Sequence, residues 1–193
     1  MGDAVAVFGM GAIGLMAVQL CRLSGAELVI AVDPLANRRA AAEKCGADMA
    51  LDPRAVDAGY EIRKATEKRG ADIAIEFSGN WRALQAALRG VAFGGNVVVG
   101  SFPAPYPAGL DLGAEAHMNR PNVIFSRAVS DPNREHPRWT RDRIFNACWR
   151  LIREGKLSGE AVVTPVVPFE KLVTEYPKII SRPEENIKLG AKF

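Results

Sequence analysis

The sequence predicts a doubly wound α/β domain, a parallel sheet of about six strands covered on both faces by helices. Three observations predict it. Short valine-rich apolar runs alternate with segments of helical period, the first run ends in a glycine cluster, and the second run ends in an acid. Strands separated by helices of about 10 to 14 residues are the mark of right-handed βαβ crossovers. The 193 residues suffice for one domain and a small appendage, and 48% hydrophobic with 24% charged residues is the usage of a globular chain.

Taken in order, Ala4 to Phe8 reads as a strand buried on both faces, and Ile13 to Leu23 as a mostly buried helix stopped at Ser24-Gly25. Leu28 to Val32 is the second strand, ending in Asp33-Pro34, and Asn37 to Lys44 a helix closed by Gly46. Ala47 to Leu51, Ala71 to Phe77 and Asn96 to Gly100 continue the strands, with helices at Ala55 to Lys68 and Trp81 to Arg89 and a turn at Gly94-Gly95. Pro103, Pro105 and Pro107 make Phe102 to Pro121 a loop. Val123 to Arg127 follows as a sixth strand and Thr140 to Arg153 as an amphipathic helix with Ile144, Phe145, Cys148, Leu151 and Ile152 on one side. Two apolar runs, Ala161 to Val167 and Ile187 to Phe193, flank a helical stretch near Phe169 to Ile180, and Pro165 demotes the first to an edge or irregular strand. The expected division is 1–158 for the main domain and 159–193 for the appendage.

Composition excludes several classes of partner. A net charge of +3, from 25 basic and 22 acidic residues, predicts no nucleic-acid partner. The arginine-rich stretch from Arg120 to Arg153 is interleaved with Asp131, Glu135, Asp142 and Glu154, which predicts a solvated, salt-bridged surface. Cys21, Cys45 and Cys148 form neither a disulfide framework nor a CxxC metal knuckle, which points to a reducing cytoplasm. Ala4 to Cys21 is uncharged and long enough to span a membrane, yet Gly9, Gly11, Gly14 and Gln19 interrupt it and no basic region precedes it.

The motif that carries chemistry is Gly9-Met10-Gly11-Ala12-Ile13-Gly14, between a strand and a helix, with Asp33 at the end of the next strand. Gly9 permits a tight turn, Gly11 lets the backbone approach a diphosphate, and Gly14 lets helix pack closely on strand. The amides at the start of the helix, around Ala12 and Ile13, then face the anion. Asp33 accepts hydrogen bonds from ribose hydroxyls and repels a 2′-phosphate, which favours NAD over NADP. Arg38 and Arg39 pull the other way, because arginines just past this strand are how a 2′-phosphate is accommodated.

The run from Gly2 to Leu15 resembles the opening of the cofactor domain of zinc-type medium-chain alcohol dehydrogenases, a family that includes sorbitol and threonine dehydrogenases. Cys45-Gly46-Ala47-Asp48, Phe77-Ser78-Gly79, Gly94 to Gly100 and Ile187-Lys188-Leu189 extend the resemblance over nearly the whole chain. It implies a Rossmann fold that binds NAD, with hydride transfer between NAD and an alcohol or carbonyl in the intact enzyme. It also places Asp33 and Arg38 at the adenosine ribose, Ser78 and Gly79 on the loop after the fourth strand, and Val99, Gly100 and Ser101 at the nicotinamide ribose and carboxamide. Family members carry a catalytic domain before the glycine loop, which supplies the zinc ligands and the proton relay. Only Met1 stands before Gly2, so the expectation is an excised or truncated cofactor domain, inactive alone, with a tail from Gly159 whose strands have lost their partners.

No catalytic residue is assigned within the chain, and no zinc is expected to be bound by it. His117 and His136 stand 19 residues apart, away from any cysteine, and read as a loop residue and a turn residue before Pro137. Two other functions fit the glycine loop. A methyltransferase usually has an acid two positions before its first glycine, where Val7 stands; a non-catalytic dinucleotide-binding module would bind NAD without turnover. Family members often join their sixth strands across a twofold axis, so the resemblance implies a homodimer through Val123 to Arg127, in keeping with an apolar sheet edge.

Overall fold

A computed structural model of the protein describes residues 1–127 and 136–193. Six strands, β1 (Ala4–Phe8), β2 (Leu28–Val32), β3 (Met49–Leu51), β4 (Ala71–Glu76), β5 (Val91–Val99) and β6 (Asn122–Phe125), form one sheet in the order β3-β2-β1-β4-β5-β6. Every pairing in it is parallel. Between them run α1 (Ala12–Leu23), α2 (Ala36–Lys44), α3 (Ala58–Ala65), α4 (Trp81–Gly90) and α5 (Glu115–Asn119), followed by α6 (Arg141–Arg153) and α7 (Leu172–Ser181).

The central strands β1 and β2 lack an exposed face because both faces are covered. In β1, Ala6 and Phe8 enter one core while Val5 and Val7 enter the other, the period-2 division of a buried strand. The first core closes against Ile62 of α3 and Leu84 and Leu88 of α4, the second against Leu15 and Val18 of α1 and Ala41 and Ala42 of α2. One register line crosses the sheet at its carboxyl end: Leu51, Val32, Phe8, Glu76, Val99 and Phe125 lie side by side. The chain leaves each strand just beyond that line, so residues distant in sequence emerge together on one edge.

Several elements depart from expectation. β5 begins at Val91 rather than Asn96, and Gly94-Gly95 lies inside it, where the pairing with β4 shifts register between Ala71 and Ile73. α3 is shorter than Ala55 to Lys68, β6 ends at Phe125 rather than Arg127, and the proline-rich loop contains α5, on which His117 lies. Asp131, Arg134 and Glu135 of the arginine-rich stretch lie outside the described residues. On α6, Ile144, Phe145, Trp149 and Ile152 are exposed.

The tail is tied to the domain. Val162 and Ile187 are buried in the second core, and Gln19 of α1 exchanges hydrogen bonds with the backbone of Ser158. Its strands have partners, contrary to expectation, because β7 (Val166–Pro168) pairs in parallel with β8 (Gly190–Lys192) as a second, two-stranded sheet.

Candidate functional site

Sheet order reverses between β1 and β4, and a cleft of about 720 Å³ opens at that point beyond the strand ends. Crevices at such reversals are where open α/β sheets hold ligands. Gly9 and Gly11 form one wall, Asp33, Leu35 and Arg38 a second, Arg54 and Val56 a third, and Phe77, Ser78 and Asn80 a fourth. A depression of similar size, about 740 Å³, lies at the other end of the sheet among Arg22, Lys44 and Lys156. It faces the carboxyl ends of α1 and α2, whose dipoles disfavour the anion those cations would attract.

The glycine turn is built by exclusion. Gly9 has φ +91°, and a Cβ there would stand 2.7 Å from the Ser78 nitrogen. A Cβ on Gly14 would overlap the Gly9 carbonyl oxygen, so only glycine lets α1 start this close to the turn. Gly11 is different: a Cβ there meets nothing within 4 Å, and it would project into open space at the cleft. No side chain caps α1, no acid stands in its first turn, and Ile13 is exposed there. The first-turn amides are left for an anion.

Asp33 is 3% exposed and lies against the turn. Its Oδ2 accepts from the Met10 N–H at 2.8 Å and its Oδ1 from the Leu35 N–H at 2.8 Å. A carboxylate has about four acceptor positions, so two amides leave room for further donors from the cleft. Arg38 and Arg39 separate cleanly. Arg39 bonds the Asp33 carbonyl at 2.8 Å and pairs with Asp52 at 3.2 Å, a brace between the ends of β2 and β3. Arg38 lines the cleft, with Nη1 4.0 Å from Asp33 Oδ2, and its buried Nε has no hydrogen-bond partner among the described residues.

Arg54 hydrogen bonds, first of several causes, hold the Asp52 carboxyl at about 2. A depressed carboxyl pKa contributes its stabilisation in full above the free value of 3.8 and loses it as pH falls through about 2. The brace beneath the cleft therefore survives mild acid.

Across the cleft, Glu76 is fully buried at the end of β4 and was not anticipated. Its Oε1 accepts from the amides of Ser78 at 2.6 Å and Gly79 at 3.0 Å and from the Ser78 hydroxyl, while Oε2 accepts from the Ser101 hydroxyl at 2.6 Å. Burial, and second the Glu76 charge, push the nearby Tyr106 phenol above its ordinary range. Of the expected site residues, Gly9, Gly11, Asp33, Arg38 and Ser78 line the cleft together, and Gly79 follows in the same loop. Ala12, Ile13 and Gly14 form the first turn of α1. Val99 is buried at the end of β5, Gly100 packs against the Phe77 ring, and Ser101 turns back to Glu76. Arg54 and Val56 are further wall residues that sequence reasoning missed; only their place just past the third strand marks them.

A β3-β2-β1-β4-β5-β6 parallel sheet, with a glycine turn and a carboxylate at its reversal, defines a Rossmann-type protein. The chain belongs to the zinc-binding dehydrogenase family, whose model matches residues 12–137. It is 46% identical over all 193 residues to the D-guloside 3-dehydrogenase of Escherichia coli, 55% of which it covers. It is 41% identical over 103 residues to the sorbitol dehydrogenase of Bacillus subtilis, covering 53% of this chain and 29% of that one. The crystal structure of 2R,3R-butanediol dehydrogenase from Bacillus subtilis superposes on the whole chain with a TM-score of 0.80 at 26% identity, over 51% of its own length. The chain thus spans about half the length of the relatives it matches end to end. Membership sets aside the methyltransferase alternative.

Among the described residues no group of three or more His, Cys, Asp and Glu side chains is placed to hold a metal ion. Nor is any helix among them long and apolar enough to cross a membrane.

Proposed function

We propose that the chain is the NAD-binding part of a cytoplasmic dehydrogenase that exchanges hydride with the hydroxyl-bearing carbon of a sugar or polyol. One observation carries it: the Asp33 carboxylate lies against the glycine turn inside a cleft at the sheet's reversal, with acceptor capacity to spare. The adenosine ribose hydroxyls would donate to Asp33, the diphosphate would meet the first-turn amides of α1 over Gly11, and Arg38 Nε would gain a partner. When bound, NAD accepts the hydride from the carbinol carbon; the chain's residues bind and orient it. The sugar or polyol class follows relatives named for a guloside and for sorbitol. Calorimetric titration of the purified chain should show NAD binding at least about tenfold more tightly than NADP. Tighter NADP would remove the role given to Asp33, and flat traces for both would remove the reading of the cleft.

The proposal extends to a homodimer through β6. Val123 is 45% and Phe125 80% exposed on this terminal strand, an apolar edge that pairs readily with a second copy. Light scattering should return the mass of a dimer, and Val123→Lys should shift it toward the monomer. A monomeric parent protein at micromolar concentration refutes this part.

A further inference from the structure

We infer that Asp52 is a positioning residue for cofactor choice: it occupies the guanidinium of Arg54, which would otherwise meet a phosphate on the adenosine ribose. The inference rests on the cofactor reading above, and it adds a second acid to the preference given to Asp33.

The two acids stand side by side. Val32 and Leu51 are register partners at the ends of β2 and β3, and the Asp33 N–H bonds the Leu51 carbonyl at 3.2 Å. Asp33 and Asp52 each follow one residue beyond that pairing. Their surroundings differ, because Asp33 lines the cleft while Asp52 is not among the described residues that wall it and reaches it only through Arg54. Arg38 and Arg54 both line the cleft with Asp33, which is more positive charge than uncharged ribose hydroxyls require. Arginine in this place is how a 2′-phosphate is held, and its planar fork grips such a group with two N–H donors at once.

The fork of Arg54 is already taken. Its Nε and Nη2 reach Asp52 Oδ1 and Oδ2, each at 3.1 Å, the paired geometry a phosphate would use. The Arg54 backbone N–H adds a bond to Oδ1 at 2.9 Å, and Nη2 also donates to the Pro34 carbonyl. Arg39 fixes Asp52 from the other side at 3.2 Å. With its carboxyl held at about 2, Asp52 stays charged across the neutral range. A 2′-phosphate must therefore displace a seated carboxylate and face the charge of two acids rather than one. Without Asp52, the Arg54 side chain, 65% exposed, can turn its fork to the cleft.

The test is calorimetric titration of the full chain and its variants with NAD and NADP. Adenosine 5′-monophosphate and adenosine 2′,5′-bisphosphate, which differ only in the ribose phosphate, repeat it on the adenosine half. In Asp52→Ala the NAD-to-NADP affinity ratio should fall about tenfold through tighter NADP, and the bisphosphate should gain as much over the monophosphate. The gain should shrink with added salt and vanish in Asp52→Ala/Arg54→Ala, where its agent is missing. A ratio that keeps its parent value, or that falls only because NAD binds more weakly, overturns the inference, and so does a gain that survives the loss of Arg54. Asp52→Asn, which keeps an oxygen for the Arg54 N–H, decides the matter on the same terms should Asp52→Ala fail to fold. A parent chain that binds none of the four ligands overturns the cofactor reading, and this inference with it.

Discussion

Asp33→Ala should weaken NAD binding by about a hundredfold or more and lower the unfolding free energy by about 2–5 kcal/mol. Both effects come from one carboxylate. Its removal leaves the Met10 and Leu35 N–H groups without acceptors, the first of them buried, at about 1–3 kcal/mol each. It also leaves Arg38, whose side chain is only 25% exposed, without its nearby anion. On the binding side, hydrogen bonds to a charged acceptor are worth about 1.5–3 kcal/mol, and two ribose hydroxyls would lose theirs. Asp33→Asn separates the terms in part: its oxygen still serves one backbone N–H while its –NH₂ opposes the other, and the charge that repels a 2′-phosphate is gone. The NAD-to-NADP affinity ratio should therefore collapse in Asp33→Asn, with a smaller loss of stability than in Asp33→Ala. Calorimetry and urea denaturation read the two quantities, and a folded Asp33→Ala protein that binds NAD like the parent would refute the assignment.

Much of this arrangement is legible before any coordinates. The bounds of β1 and β2 follow from residue type alone, because strands covered on both faces must be apolar throughout and the glycine turn and Asp33 punctuate their ends. The start of β5 was illegible for a specific reason. Gly94-Gly95 reads as a turn, yet Gly94 holds φ +70° within the strand, and a Cβ on Gly95 would stand 2.9 Å from the Asp72 carbonyl oxygen. The glycines there mark an irregular, close approach of two strands, a long-range packing fact with no local signature. α5 was hidden by the prolines before it, which forbid regular structure only where they stand.

The site divides in the same way. Asp33 and the glycines announce themselves because the contacts they make are set by one βαβ unit. Arg38 and Arg39 are adjacent and chemically identical, and only the rotation of α2 about its axis decides that one faces the cleft and the other Asp52. Glu76 is the hardest case. A single acid in an apolar strand reads as a solvent-facing position, and its neutralising donors come from its own loop and from Ser101, 25 residues on. That a buried carboxylate must be surrounded by donors is a rule, but which donors is a matter of topology.

Gly14→Ala should destabilise the protein by about 3 kcal/mol or more, reversing the sign expected of the substitution. Alanine in place of an ordinary helical glycine gains about 1 kcal/mol. Here the new methyl would overlap the Gly9 carbonyl oxygen, and the turn cannot retreat. The Gly9 N–H bonds Val32 at 2.9 Å, the Met10 N–H bonds Asp33, and Gly9 itself abuts Ser78 from the other side. Relief then requires α1 to move off β1, which opens the second core around Leu15 and Val18. Gly11→Ala is the matched control. Its backbone, φ −73° and ψ −175°, is open to any residue, and its methyl would meet no atom, so stability should stay within about 1 kcal/mol of the parent. The same methyl would occupy the space where a diphosphate approaches the α1 amides, and NAD affinity should fall about ten- to a hundredfold. Urea denaturation and calorimetry on the two variants thus separate a glycine kept for packing from a glycine kept for the ligand. Full NAD affinity in Gly11→Ala would place the diphosphate elsewhere.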